Sequence, residues 1–312
     1  MKVTFYEEEV MTENTFKSGF ITLIGRPNVG KSTLINRLLG QKIAAVSPRP
    51  QTTRRKQLGI LTTDNYQIVF MDTPGIHKGK DKLDRYMNDA AQETILDADV
   101  VVWIVDASLS PQEEDEMIAE MIQELPRTPT VLMLLNKIDK LKEDKREKQR
   151  EVYGNLLPGA ELCEISALHG EGQDVFISLL LDHLLEGPMY YDPEQVTDFY
   201  EREIASDLIR QGCLNMLRDE IPHGIAIRVD EFKERSNGQI YIHATILVSR
   251  DSHKGIVIGK GAEMLKKIGS YARKEIEDLV GTKVFLDLKV KVNKNWRDKA
   301  DMLDYLGYTQ GR

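Results

Sequence analysis

The chain has 312 residues, of which 41% are hydrophobic and 29% are charged, and its formal net charge is −8 at pH 7. This balance is typical of a globular protein with about two domains and argues against disorder on a large scale. No apolar run approaches the roughly 18 residues of a membrane-spanning helix, and Glu7, Glu8 and Glu9 stand where a signal peptide would be basic or apolar, so a cytoplasmic protein is predicted.

The first part of the chain alternates short apolar runs with helical stretches. Residues 1–17 are predicted to form a flexible extension, and residues 18–185 a mainly parallel, doubly wound sheet covered by helices, in the α/β class. The predicted strands span residues 20–24, 68–71, 100–105, 131–135 and 162–165. Runs such as 100–105 are apolar throughout, as expected for strands that are buried on both faces.

A glycine-rich loop follows the first predicted strand and has the pattern G-x-x-x-x-G-K-S. It consists of Gly25, Arg26, Pro27, Asn28, Val29, Gly30, Lys31 and Ser32. Such a loop points successive backbone N–H groups and a helix N-terminus at a phosphate, while the lysine supplies a charge and the serine a hydroxyl for Mg²⁺. The loop therefore predicts a site for a nucleoside triphosphate with Mg²⁺.

A polar segment, Pro50-Gln51-Thr52-Thr53-Arg54, lies between this loop and the next strand. A threonine in such a mobile segment can complete the Mg²⁺ shell only when the γ-phosphate is present, which makes the segment a candidate switch. Thr52 and Thr53 are both candidates, and the sequence does not choose between them.

A carboxylate follows the second predicted strand in Asp72-Thr73-Pro74-Gly75. At the carboxyl end of a strand, Asp72 can hold Mg²⁺ through water while the Gly75 N–H reaches the γ-phosphate. The predicted metal-site residues are therefore Ser32, Asp72 and Thr53, and the next residue, Ile76, adjoins the phosphates.

A third motif, Asn136-Lys137-Ile138-Asp139, follows the strand predicted at 131–135. The Asp139 carboxylate can accept two hydrogen bonds from the N–H and NH₂ that guanine presents on one edge, whereas adenine would leave it unpaired. Lys137 can lie over the base, and Ser166-Ala167 after the last strand can offer a backbone N–H to the guanine oxygen. The nucleotide is therefore predicted to be GTP or GDP.

Residues 186–200 contain a glycine and two prolines and are predicted to be an interdomain linker. Beyond it, a helix at 199–217, strands at 224–232 and 240–248 joined by Ser236-Asn237-Gly238, two short helices around Gly259 and a strand at 284–292 predict a smaller α+β domain over 201–312. Cys163 and Cys213 lack disulfide or metal-ligand spacing and are expected to be buried thiols.

Charge is unevenly distributed between the two parts. The net charge is −11 over residues 1–200 and +3 over 201–312, and residues 250–299 alone carry +6. Within that stretch, residues 256–262 resemble the V-I-G-x-x-G loop of KH domains, which brings an RNA backbone close to two helix N-termini. Candidate RNA-binding residues are Ile258, Gly259, Lys260, Gly261, Ala262, Lys266 and Lys267. Ala262 stands where the KH pattern has glycine, which weakens the inference of RNA affinity.

Together these segments resemble the Era family of KH-domain GTPases, in the TrmE-Era-EngA-like superfamily of translation-factor-related GTPases. The resemblance runs from about residue 16 to 308 and includes 25–32, 51–54, 72–77, 136–139, 165–168, 219–223 and 290–297. It implies a P-loop GTPase domain followed by a type II KH domain. It further implies that the protein binds the 3′ end of 16S ribosomal RNA, takes part in assembly of the 30S ribosomal subunit and is a monomer.

Slow intrinsic hydrolysis is expected, because Ile76 stands where Ras-like proteins have a water-orienting glutamine. By resemblance to GTPases with asparagine at this loop position, Asn28 is hypothesised to help place K⁺ beside the phosphates. The candidate catalytic residues are Asn28, Lys31, Thr52, Thr53 and Gly75.

Two other classes of function remain as alternatives. The basic stretch would also suit a regulatory GTPase that is peripherally associated with the inner face of the membrane. Its second domain would then bind anionic lipid or protein. A nucleotide kinase is disfavoured by Asp139. Trp296 and Tyr308 are candidates for stacking on RNA bases or for core positions, and His77, His223 and His253 lack paired metal-ligand spacing.

Overall fold

A computed structural model describes residues 15–47, 49, 52–79, 81–125 and 129–308. The described residues form a six-stranded sheet in the first part of the chain and a three-stranded sheet in the second part. Residues 1–14 of the predicted extension, and Pro50 and Gln51 of the predicted switch, lie outside the described residues.

The first sheet belongs to an α/β unit in which helices cover both faces. Its strands are β1 (Lys17–Ile24), β2 (Gln57–Thr62), β3 (Tyr66–Asp72), β4 (Val100–Asp106), β5 (Thr130–Asn136) and β6 (Glu161–Ile165). Its helices are α1 (Lys31–Leu39), α2 (Lys82–Asp97), α3 (Glu113–Gln123), α4 (Glu143–Gly154) and α5 (Gln173–His183). One core layer joins α1 and α5 to the sheet, and the opposite layer joins α2 and α3. The strands lie in the order β2-β3-β1-β4-β5-β6. All pairings are parallel except β2 with β3, which confirms the predicted mainly parallel, doubly wound sheet.

The sequence prediction omitted β2, and this strand explains why residues 186–200 are not a free linker. β2 pairs with β3 on one side, and on the other side the Ile60 N–H donates to the Val196 carbonyl at 2.9 Å. The Leu58 N–H donates to the Asp198 carboxylate at 2.8 Å. The connecting segment therefore covers the edge that β2 would otherwise expose.

The second unit is an α+β fold with its helices packed on one face of a three-stranded sheet. Its elements are α6 (Glu201–Met216), β7 (Ile225–Glu234), β8 (Ile240–Val248), α7 (Asp251–Ile258), α8 (Glu263–Val280), β9 (Val284–Val292) and α9 (Ala300–Tyr305). β7 and β8 form the predicted hairpin, and β9 is parallel to β8. The prediction of two short helices is wrong for the second, because α8 is amphipathic over 18 residues.

The two units share a buried apolar cluster. Leu83 and Met87 of α2 lie in one cluster with Trp296, Leu303 and Tyr308 of the second unit. Trp296 is 0% exposed and its indole N–H donates to the Gly224 carbonyl at 3.0 Å. The hypothesis that Trp296 and Tyr308 stack on RNA bases is therefore wrong, because both side chains are core residues.

The described residues include both cysteines and bear on the predictions about metal binding and membrane crossing. Cys163 and Cys213 are buried free thiols, and burial raises the pKa of Cys213 to about 12. The described part of the chain contains no cluster of three or more side chains suited to hold a metal by histidine, cysteine or carboxylate ligands. Among the helices within that part, none combines the length and apolar character that crossing a membrane requires.

Candidate functional site

The glycine-rich loop joins β1 to α1, and its backbone requires glycine at two positions. Gly25 and Gly30 have φ of +149° and +112°. A Cβ atom on Gly25 would lie 2.4 Å from the Ile104 carbonyl oxygen, and one on Gly30 would lie 2.3 Å from Asn136 Nδ2. The loop is thus pressed against β4 and β5, and its backbone turns into the N-terminus of α1 at Lys31, which favours an anion there.

A cavity of about 400 Å³ opens at this loop. Of the predicted site residues, it is lined by Pro27, Asn28, Gly30, Lys31, Ser32, Thr52, Thr53, Thr73, Gly75 and Lys137. The remaining predicted GTP-site residues do not line it: Gly25, Arg26, Val29, Asp72, Pro74, Ile76, Asn136, Ile138, Asp139, Ser166 and Ala167. Sequence reasoning missed Thr33, Lys140 and the segment 45–47, which also line the cavity.

Lys31 places a buried cation at the base of the cavity. Its Nζ donates to the Gly25 and Arg26 carbonyls at 3.0 and 3.3 Å. Burial lowers the pKa of Lys31 from 10.5 to about 8, an effect that nearby Asp72 opposes. Phosphate oxygens in the cavity would replace weak carbonyl partners by full negative charge, so the site is suited to an anion.

Three oxygens converge beside Lys31, where the sequence predicts the metal. Ser32 Oγ lies 2.9 Å from Thr53 Oγ1 and 2.9 Å from Asp72 Oδ2, and Thr53 Oγ1 lies 3.2 Å from the same Asp72 oxygen. Asp72 is 1% exposed, and its other oxygen, Oδ1, makes no hydrogen bond among the described residues. Burial raises the pKa of Asp72. This hard oxygen set fits Mg²⁺, which would satisfy the buried carboxylate.

The same geometry separates the two candidate threonines. Thr53 contacts Ser32 and Asp72, whereas the Thr52 hydroxyl donates to the Arg49 carbonyl at 3.2 Å. Thr53 is therefore the threonine whose side chain stands with the predicted Mg²⁺ ligands.

The segment after β3 closes against the glycine-rich loop. The Ile76 N–H donates to the Gly25 carbonyl at 3.2 Å, and the Ile76 side chain is 2% exposed in the core beneath α2 and α3. A Cβ on Gly75 would lie 2.7 Å from the Pro27 nitrogen. Only glycine permits this approach, and the buried Ile76 has no polar atom with which to orient water.

The third motif ties the loop to the end of β6. Asn136 donates from Nδ2 to the Val29 carbonyl at 2.7 Å, and its Oδ1 accepts the Ala167 N–H at 2.9 Å. Asp139 accepts a hydrogen bond from Ser166 Oγ at 2.7 Å. The predicted base-binding residues are thus brought together, with the Asp139 carboxylate oriented by Ser166.

Lys137 contacts Asp106, a residue that the sequence motifs did not identify. Its Nζ donates to the Asn28 carbonyl at 2.7 Å and to Asp106 Oδ2 at 2.6 Å. Lys137 holds this position with a left-handed φ of 67°. Asp106 ends β4, and an acidic residue at the carboxyl end of a buried parallel strand is the signal that would have identified it.

The second unit carries its own groove between α8 and β9. A cavity of about 300 Å³ has an apolar floor that includes Leu265, Leu286 and Leu288, while Lys266 and Arg273 supply positive charge. Of the predicted RNA-binding residues, only Ala262 and Lys266 line this cavity, whereas Ile258, Gly259, Lys260, Gly261 and Lys267 do not. Apolar floor and basic rim suit unstacked bases and phosphates.

The loop before this groove holds a non-glycine residue in the left-handed region. Ala262 has φ 62° and ψ 22°, and it follows Gly261 at φ 58°. The position therefore uses the backbone conformation that the KH pattern assigns to glycine. The methyl group adds local strain at this position.

Known proteins resemble this chain along two segments and along nearly its whole length. Residues 20–137 match a family described as 50S ribosome-binding GTPase, and residues 220–297 match the KH domain family. The GTPase Era of Ruminiclostridium cellulolyticum is 46% identical over 294 residues, which are 94% of this chain and 98% of that relative.

Two solved structures each cover 95% of this chain, at 34% identity, and 100% of the solved chain. One is Era in complex with MgGDPNP and nucleotides 1506–1542 of 16S ribosomal RNA, with a TM-score of 0.88. The other is a variant of Aquifex aeolicus Era bound to GDP·AlF₄⁻, with a TM-score of 0.90.

Proposed function

Because this chain belongs to the Era family of GTPases, we propose that it is a GTP-driven switch that binds the 3′ end of 16S ribosomal RNA and assists assembly of the 30S subunit. It hydrolyses GTP to GDP and phosphate. The observation that carries the proposal is the presence of both sites in one chain: a cradle for a triphosphate and an apolar groove with a basic rim. We place the protein in the cytoplasm and infer that it acts as a monomer.

We assign the GTPase domain to residues 18–185, the linker to 186–200 and the KH-type domain to 201–312. The domain boundary follows the change from the six-stranded to the three-stranded sheet. The linker stabilises the outer edge of the first sheet, because it hydrogen-bonds along β2.

In the nucleotide site, the glycine-rich loop and Lys31 hold the phosphates, and Gly75 offers its N–H to the γ-phosphate. Ser32, Thr53 and Asp72 would hold Mg²⁺, which supplies positive charge to the phosphate oxygens when bound. Asn136 keeps the loop and the Ser166-Ala167 turn in register, and Asp139 selects guanine. Slow turnover is expected, because the buried Ile76 cannot orient the attacking water.

The proposed partner can be tested by direct competition between RNA and lipid. We expect the protein with GDPNP to bind a labelled RNA of nucleotides 1506–1542 at least tenfold more tightly than a scrambled RNA of the same length, at one fixed salt concentration. Vesicles containing anionic lipid serve as the second probe. Equal binding of both RNAs, together with strong vesicle binding, would favour the membrane-associated alternative.

Asn28 lines the phosphate cavity and adopts a left-handed φ of 65°. We propose that it helps to place K⁺ beside the phosphates, where the ion contributes charge that an arginine would otherwise supply. Turnover is expected to be faster in KCl than in NaCl, and Asn28→Ala is expected to remove that difference. Equal wild-type rates in the two salts would refute this role.

A further inference from the structure

A chain of hydrogen bonds links the wall of the nucleotide cavity to the second unit. Val46 and Ser47 line that cavity, between α1 and β2. The Val46 N–H donates to Gln211 Oε1 at 3.2 Å, and Ser47 Oγ donates to Asn215 Oδ1 at 2.9 Å. Gln211 and Asn215 are four residues apart on α6 and therefore share one helix face.

The opposite ends of the same two amides meet at one tyrosine. Gln211 Nε2 lies 2.7 Å from the Tyr271 hydroxyl, and Asn215 Nδ2 lies 3.2 Å from it. Each amide thus accepts from the cavity wall with its oxygen and donates to Tyr271 with its nitrogen. Because an amide is rigid and planar, it cannot follow a displaced partner at one end without weakening the bond at the other.

Tyr271 belongs to the helix that forms one side of the groove. Its neighbours on α8, Ser270 and Arg273, line the groove cavity, whereas Tyr271 lines neither cavity. α6 and α8 pack closely at this point, since a Cβ on Gly212 would lie 3.3 Å from Tyr271 Cδ1. Because α6 and α8 are in direct contact here, a shift of α6 or of its two amides would displace α8 as well.

We propose that Gln211, Asn215 and Tyr271 transmit the state of the nucleotide site to the RNA groove. The inference rests on the proposed function and adds the residues that couple its two sites. When a γ-phosphate in the cavity shifts the wall segment at 45–47, the two amides pass that shift to the Tyr271 hydroxyl and so to α8. These are positioning residues, and parallel contacts between Lys42 and Glu275 and between Arg210 and the Thr52 carbonyl support the same alignment.

The test is Tyr271→Phe, which removes the shared hydroxyl and keeps the ring. In the wild type we expect the RNA of nucleotides 1506–1542 to bind about fivefold or more tightly with GDPNP than with GDP. In the variant we expect this ratio to fall below about twofold, while RNA affinity without nucleotide and GTP hydrolysis without RNA stay within about twofold of wild type. By linkage, RNA should raise the affinity for GDPNP relative to that for GDP by the same factor, which is therefore also reduced in the variant.

Tyr241→Phe is the matched control, because Tyr241 lies on β8 against Phe285 and outside this chain of contacts. It should keep the full ratio. Ser47→Ala, which breaks the chain at its other end, should reduce the ratio and add little to Tyr271→Phe in the double variant.

The outcomes distinguish this inference from the proposed function. A wild type that does not bind the RNA would overturn both. A wild type that binds it equally with GDP and GDPNP, or a Tyr271→Phe variant that keeps the full ratio, would overturn the inference alone.

Discussion

Lys31 shows how a single residue prepares the phosphate site. The residue is 6% exposed, and its ammonium group is held by two backbone carbonyls. These partners leave the charged form poorly solvated, which is why burial lowers its pKa to about 8. A bound phosphate would therefore stabilise the charged form of Lys31 and raise its pKa.

This state of Lys31 predicts that nucleotide binding takes up a proton at mildly alkaline pH. Above pH 8 the free protein has mostly neutral Lys31, whereas bound phosphate raises the pKa and keeps the group charged. GDP affinity should fall as pH rises through 8, by at most about tenfold per pH unit.

Calorimetry at pH 8.5, in two buffers of different ionisation enthalpy, should detect uptake of most of one proton. Titration at pH 7, where Lys31 is charged in both states, provides the control and should show little uptake. An affinity that stays constant from pH 7.5 to 9 would contradict this view of the site.

At the scale of elements, the turn between α7 and α8 contains three residues with positive φ among the four residues 259–262. Gly259, Gly261 and Ala262 all have positive φ, at 73°, 58° and 62°. Glycine adopts such values without strain, but alanine in the left-handed region costs about 1–2 kcal/mol. The first residue before α8 therefore stores strain at the entrance of the groove.

Ala262→Gly is expected to raise the free energy of unfolding by about 1 kcal/mol, as measured by urea denaturation, because relief of strain exceeds the added flexibility of the unfolded chain. Gly261→Ala is the matched control. The added Cβ would meet no other atom within 4 Å, so the substitution adds only backbone strain. The free energy of unfolding is expected to fall by about 1 kcal/mol. If Ala262→Gly is neutral or destabilising, the strain assigned to this turn is absent.

The elements that could be predicted from sequence are those whose signals are local. The buried strands β4 and β5 follow from apolar runs, and the hairpin of β7 and β8 follows from alternation around a glycine turn. β2 was missed because it is short, contains Gly59 and has one edge covered by Val196, which is distant in sequence.

The nucleotide site was predicted in the same way and with the same limits. Its motifs each end a strand, so their convergence followed from the topology of a parallel sheet. The segment at 45–47 and its contacts with α6 carry no comparable motif. They arise from packing between the two units, which no short sequence pattern encodes.

At the scale of the whole molecule, the two units are joined through α2. Leu83 and Met87 bury one face of this helix against Trp296, Leu303 and Tyr308. Arg297 adds polar contacts, at 2.8 Å to Asp84 and 2.6 Å to Asp81. The helix that follows the Asp72-Thr73-Pro74-Gly75 motif thus belongs to the cores of both units.

Leu83→Ala should therefore destabilise the protein by about 2–5 kcal/mol and separate the unfolding of the two units. Calorimetry should show one transition for the wild type and two for the variant. Leu96→Ala on the same helix is the matched control, since Leu96 is 67% exposed, and it should change stability by less than about 0.5 kcal/mol. A single sharp transition in Leu83→Ala would mean that the apolar cluster does not couple the units.

Arg54, in the segment that precedes β2, contacts the second unit through two main-chain carbonyls and through the Trp296 ring, whose centroid lies 5.7 Å from its guanidinium carbon. Its guanidinium donates to the Ile225 and His223 carbonyls at 2.7 and 3.0 Å. Every amino acid supplies a carbonyl, so the bond partners persist whichever side chains mutation places at 223 and 225. A change at position 54 removes both bonds at once. For these two hydrogen bonds, tolerance to substitution is therefore one-sided: the side chains at 223 and 225 can vary without removing the acceptors, whereas a change at position 54 removes the donor.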